Sequence, residues 1–234
     1  MADMTTKRRG KTPPKIDTKD WRERIPAHLL AEAEAEGPLD LGDTHTETPE
    51  QAVERMKRAA EARALRWLSQ MPAMYAEARL EDLDAATHSS IVDWLNAEGT
   101  SLILAGQVGT GKTHAAYAVG HRLLSQGLTV EAWTLSDLLA AMRPDGDPKA
   151  SDLARACDVL ILDDLGAAKA SEWAQEQLTA LLDARLRDKR RQVITTNAPY
   201  EALEAAWGSR AMDRLRYRWA VVTFTGESRR KAAW

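Results

Sequence analysis

Cysteine is nearly absent: Cys157 is the single one in 234 residues. An internal disulfide and a zinc site built from cysteines are therefore excluded. Long apolar runs are missing too. Stretches such as "LILA" and "VLIL" fall far short of the roughly 18 residues that announce a membrane span. The N-terminal "MADMTTKRRGKTPPK" has no apolar core behind its basic residues, so it does not read as a secretory signal. No internal repeat is evident. These absences point to a cytoplasmic protein without a membrane partner. What remains is an ordinary globular composition, 44% hydrophobic and 29% charged. The length suits one good-sized domain with an extension.

The net charge of −3 is unevenly spread. Residues 32–50 carry seven acids and no lysine or arginine, whereas "ARLRDKRRQ" and residues 209–234 are basic. Such patches suit a phosphate backbone or a solvated helix face equally. Residues 1–20 read as a flexible basic tail. Residues 21–71 read as a helical N-terminal region: a short helix stopped at Gly37, an acidic linker, then a helix from Thr48-Pro49 to near Met71-Pro72. From 72 to 234 strands and helices alternate. "SLILAG", "LTVEAWT", "CDVLILDD", "RQVITTN" and "WAVVTF" are the predicted strands. Five strands separated by helices predict an α/β fold with a mostly parallel sheet covered on both faces.

"GQVGTGKT", residues 106–113, fits G-x-x-x-x-G-K-[ST] at every fixed position, with a strand before it and a helix after it. Gly106, Gly109 and Gly111 let the backbone turn its N–H groups toward a polyphosphate. Lys112 reaches the β- and γ-phosphates, and the Thr113 hydroxyl is a ligand for Mg²⁺. Thr110 and His114 complete the nucleotide-contacting segment, although His114 suits local packing better than catalysis. The helix N-terminus adds partial positive charge. ATP with Mg²⁺ is the ligand this pattern predicts.

"VLILDDLG", residues 159–166, ends an apolar strand on two acids. Asp163 is the natural metal partner of Thr113. Asp164 is placed to orient and polarise the attacking water. Asn197, after "VITT", offers a neutral amide for the lytic water or the γ-phosphate. Trp133, Trp173, Trp207 and Trp219 read as packing residues. The run 185–192, "RLRDKRRQ", suits a phosphate backbone or a solvated helix end.

The series "GQVGTGKTH", "DVLILDDLG", "VITTN" and "SRAMDRLRYR" resembles the AAA+ ATPases, a P-loop NTPase group. Within them it is most similar to the DnaC-type helicase loaders and the IstB-type transposition helpers. That resemblance covers about residues 72–234. It implies a five-stranded sheet of order 5-1-4-3-2, no C-terminal lid domain, and a nucleotide site shared between subunits that self-associate into a ring or spiral. It assigns Arg214 of "MDRL" as an arginine finger acting on a neighbour's γ-phosphate, with Arg210 one turn back as the alternative. Arg229 becomes a candidate contact to the phosphates. The implied partners are a hexameric replicative DNA helicase, gripped by the N-terminal region, and single-stranded DNA. The alternatives are a transposition helper and a nucleotide-gated adaptor. Many relatives have Asp-Glu where this chain has Asp163-Asp164, so the shorter acid implies slow, switch-like hydrolysis.

Overall fold

Five buried apolar segments pair side by side. They are β1 (Ser101–Gly106), β2 (Val130–Thr134), β3 (Val159–Asp163), β4 (Arg191–Thr196) and β5 (Trp219–Phe224). Every pairing is parallel. The order is β2-β3-β4-β1-β5, which is 5-1-4-3-2 read from the other edge. The structure, a computed structural model, describes residues 49–97, 101–166 and 168–228. The expected basic tail, first helix and acidic linker lie outside the described residues.

Strand periodicity sorts the core into two layers. Leu102, Leu104, Val159, Ile161 and Val193 face one cluster, whereas Ile103, Leu160, Leu162 and Ile194 face the other. Helices α1 (Pro49–Gln70), α2 (Ala85–Asn96) and α3 (Lys112–Ser125) supply the first layer. Helices α4 (Leu135–Ala141), α5 (Ala150–Ala156), α6 (Glu172–Arg187), α7 (Tyr200–Trp207) and α8 (Ser209–Arg216) supply the second. Among the described residues, no helix is long and apolar enough to cross a membrane. Helices α2 and α5 escape the sequence pattern. The first carries Thr, Ser, Ile and Val, poor helix formers, and the second has only 7 residues.

The helix read as the end of the N-terminal region is packed on the sheet domain, and the compact unit begins at Pro49. Trp67 is its anchor, 1% exposed. The indole occupies the space left by Gly120 on α3, where an added Cβ would lie 2.5 Å from it. Its Nε1 donates to His121 Nδ1 at 3.2 Å, and His121 Nε2 lies 3.2 Å from the Tyr75 carbonyl oxygen. Beside it Arg66 grips the buried Glu131 of β2 with two hydrogen bonds, one of them Nη2 to Oε2 at 2.8 Å. Removing the indole by Trp67→Ala is expected to cost about 3–5 kcal/mol. The check is a lower urea midpoint with an unchanged slope.

The basic run 185–192 is neither a phosphate track nor a solvated helix end at three of its arginines. Arg185 is fully buried and donates to the carbonyls of Ala154 (2.7 Å), Cys157 (3.0 Å) and Arg191. It thereby ties the end of α5 to the starts of β3 and β4. Burial lowers the pKa of its guanidinium and pushes up that of the neighbouring Cys157 thiol. Arg190 donates to Ala156 O, and Arg191 to Ala97 O at 2.7 Å while covering the Trp94 ring at 5.0 Å. Carbonyl groups at helix ends claim these cations before any ligand does. The four tryptophans read as packing residues do pack in the second layer, Trp207 donating to Gly166 O at 2.7 Å.

Candidate nucleotide site

Strand β1 delivers its last residue, Gly106, hard against β5: a Cβ there would lie 2.3 Å from the Phe224 carbonyl oxygen. Close approach, besides loop bending, is why a side chain is excluded. The loop then turns through Gly109 (φ 84°) and Gly111 (φ 102°), both in the left-handed region. Ser228, beyond β5, presses on Gly109, leaving no room for a Cβ. Arg229, the next residue, lies outside the described residues.

Lys112 opens α3 and is 8% exposed. Its Nζ donates to Gln107 O at 2.7 Å, so the cation is folded over its own loop. The Thr110 hydroxyl is spent on the same carbonyl at 2.8 Å, which leaves its backbone to face a ligand. Beside the loop lies a cavity of about 300 Å³ lined by Met74, Tyr75, Asp82, Lys112, Thr113 and His114, among others. His114 Nε2 sits 3.2 Å from Asp82 Oδ2. The Arg79 N–H on that carboxyl, helped by His114, lowers the Asp82 pKa. Tyr75 stacks on Tyr117 with centroids 4.8 Å apart. Burial, then the charge of Asp163 and Tyr75, push the Tyr117 hydroxyl up to about 12, so it stays neutral at physiological pH.

Two sequence-predicted residues fifty positions apart meet here: the Thr113 hydroxyl donates to Asp163 Oδ1 at 3.0 Å. A hydroxyl and a carboxylate are hard oxygen donors that fit Mg²⁺, which takes few protein ligands and completes its shell with phosphate and water. Among the described residues there is no group of three His, Cys, Asp or Glu side chains that could hold a metal ion.

Asp164 differs from the expected strand tip. Strand β3 ends at Asp163, and Asp164 is exposed in the left-handed region at φ 58°. Aspartate is among the few side chains that tolerate this conformation. Asn197 is exposed just past β4. Arg214 is not with the loop residues. Its Nε donates to Asp183 Oδ1 on α6 at 2.6 Å, which raises its pKa. Arg210 is exposed near the start of α8.

Sequence reasoning missed Thr195. It is 2% exposed on β4, donates to Asp163 Oδ1 at 2.6 Å and accepts the Asp164 N–H at 2.9 Å. Its position opposite the acids follows from the β3–β4 register, in which Leu162 faces Ile194. The paired threonines of "VITTN" were the available signal.

The chain is similar to known proteins in sequence and in fold. DnaC, the replicative helicase loader of Escherichia coli strain K12, is 31% identical over 123 residues, 50% of this chain and 50% of that protein. YdaV of the same strain, an uncharacterized protein, is 36% identical over 147 residues, 59% of this chain and 58% of that one. The chain thus spans about half the length of these curated relatives. Among solved structures, the DnaC helicase loader superposes with a TM-score of 0.59 at 22% identity, covering 66% of this chain and 100% of that one. AMPPCP-bound DnaA from Aquifex aeolicus gives 0.56 at 19%, covering 64% and 50%. At these identities the structural likeness is one of fold. Residues 44–233, most of the chain, match a single family, and the chain belongs to it: the IstB-like ATP binding proteins.

Proposed function

We propose that the protein is an ATP-dependent loader: it binds a hexameric replicative DNA helicase and places it on single-stranded DNA, with ATP binding and slow hydrolysis as the switch. The observation that carries this reading is the Thr113–Asp163 pair at 3.0 Å beneath a complete P-loop. The similarity to the replicative helicase loader DnaC supports the choice of partner.

In this reading Lys112 leaves Gln107 O for phosphate oxygens, and the loop N–H groups bind the remainder of the phosphate chain. Thr113 and Asp163 would hold Mg²⁺, which supplies charge neutralisation between the phosphates when bound. Asp164 orients the attacking water, and Asn197 steadies it from the next strand. Arg214 from a neighbouring subunit stabilises the charge that develops on the transferred phosphoryl group. Arg229 is proposed as a further phosphate contact. The N-terminal region, residues 21–71, grips the helicase, and the assembled subunits form a ring or spiral in the cytoplasm.

The IstB-like family match favours a second reading, a transposition helper that recruits a transposase to DNA. An adaptor whose turnover is dispensable is the variant of either reading that a slow site allows. Affinity capture with the full-length chain, ATP and Mg²⁺ separates the partners. Retention of the cognate replicative helicase, lost in Lys112→Ala, is the expected result. Retention of a transposase and no helicase would assign the second reading.

A further inference from the structure

Next to the two acids, on β4, sits one hydroxyl that both donates and accepts. Thr195 Oγ1 donates its single proton to Asp163 Oδ1 at 2.6 Å, a length within the charge-assisted range. It accepts the Asp164 N–H at 2.9 Å. The backbone of the same residue accepts the Leu165 N–H at 2.8 Å. The adjacent Thr196 donates to Leu165 O at 2.7 Å and accepts the Ala198 N–H at 3.1 Å. The turn carrying Asp163, Asp164 and Leu165 is therefore fastened to β4 immediately before Asn197.

We infer that Thr195 is a positioning residue that sets both acids of the site, acting on the Asp163 carboxylate through its proton and on the Asp164 turn through its oxygen. This rests on the ATPase reading above. Asp163 Oδ1 receives two hydroxyls, from Thr113 and Thr195, and Oδ2 is left without a protein partner among the described residues. The carboxylate is thus held with one oxygen committed and one available to the metal shell. Asp164 needs its own support. A non-glycine residue at φ 58° is sparsely populated and persists only where its surroundings hold it. The Thr195 oxygen supplies that hold by taking the turn's N–H. Valine fills the same space on a strand but offers neither function; serine offers both.

The test uses the full chain and three variants, Thr195→Val, Thr195→Ser and Thr195→Ala. ATP affinity is measured without metal and across a Mg²⁺ titration, together with turnover. Loss of an outer-shell partner of this type typically costs 10–100-fold in metal affinity or activity. Thr195→Val is expected to keep the metal-free affinity, to need about 10-fold more Mg²⁺ for half-maximal effect, and to lose turnover by about 10–100-fold. Thr195→Ser should restore both. Thr195→Ala carries the same expectation as valine and decides the matter if the valine variant does not fold. Wild-type Mg²⁺ dependence and turnover in the variants lacking the hydroxyl would overturn the inference, as would an equal loss of affinity with and without metal. Absence of any Mg²⁺-dependent ATP binding in the unmodified protein would instead overturn the ATPase reading, and this inference with it.

Discussion

Arg214→Ala is expected to lower ATP turnover of the assembled protein by about 10³-fold or more, the usual contribution of an arginine finger. Arg214 Nε is committed to Asp183 on α6 at 2.6 Å, and Nη1 lies 3.4 Å from Arg210 O in the same helix. These contacts fix the guanidinium on the surface of α8, about one-third exposed, rather than in the P-loop of its own chain. A cation so placed contributes to hydrolysis only by reaching another subunit's nucleotide. ATP affinity of the isolated variant should therefore match the unmodified protein, while turnover falls. Mixing supplies the discriminating control. Arg214→Ala subunits keep Asp164 and lack the finger, whereas Asp164→Asn subunits keep the finger and lack the acid. Each alone should be nearly inactive, and the mixture should regain part of the turnover at junctions that join the two. A mixture no more active than its components would exclude sharing of the site.

Lys112→Ala should abolish useful nucleotide binding. Truncating one partner of a buried, hydrogen-bonded charge pair costs about 2–5 kcal/mol, on the order of 30- to 5,000-fold in affinity. Lys112 is 8% exposed and carries the cation at the mouth of the loop, so no bulk water replaces it when phosphate arrives. In the free protein its Nζ donates to Gln107 O at 2.7 Å. Ligand-linked stability reads the difference directly. ATP at 100 times its dissociation constant stabilises a folded protein by about 2.7 kcal/mol. The unmodified protein should show that rise in melting temperature and Lys112→Ala should not, each compared with its own melting temperature in the absence of nucleotide.

The features legible in the sequence are those whose cause is local or strictly spaced. "GQVGTGKT" works through contiguous backbone geometry, so its glycines and Lys112 are visible in eight residues. The sheet order followed from the resemblance, and the strands from apolar runs that only a doubly covered parallel sheet can bury. The illegible features all depend on what a side chain meets across the fold. Arg185, Arg190 and Arg191 look like a surface charge run because helix periodicity does not reveal the orphan carbonyls of Ala154, Ala156 and Ala97 that capture them. Trp67 looks like a stray aromatic in an Ala- and Arg-rich helix until Gly120, fifty-three residues later, provides its socket. The αL turn at Asp164 is equally hidden, because an Asp-Asp pair at a strand end is compatible with extended backbone until Thr195 is seen holding it. Asp183 gave no sign at all: its role appears only when α6 and α8 pack side by side.

In the proposed function, ATP at this P-loop gates the placement of a helicase on single-stranded DNA. The most direct measurement is transfer of the cognate hexameric helicase onto a closed single-stranded circle, where no free end allows threading. The expected result is ATP-dependent transfer by the unmodified chain and none by Lys112→Ala. Equal transfer by Lys112→Ala, or by the unmodified chain without nucleotide, would contradict it.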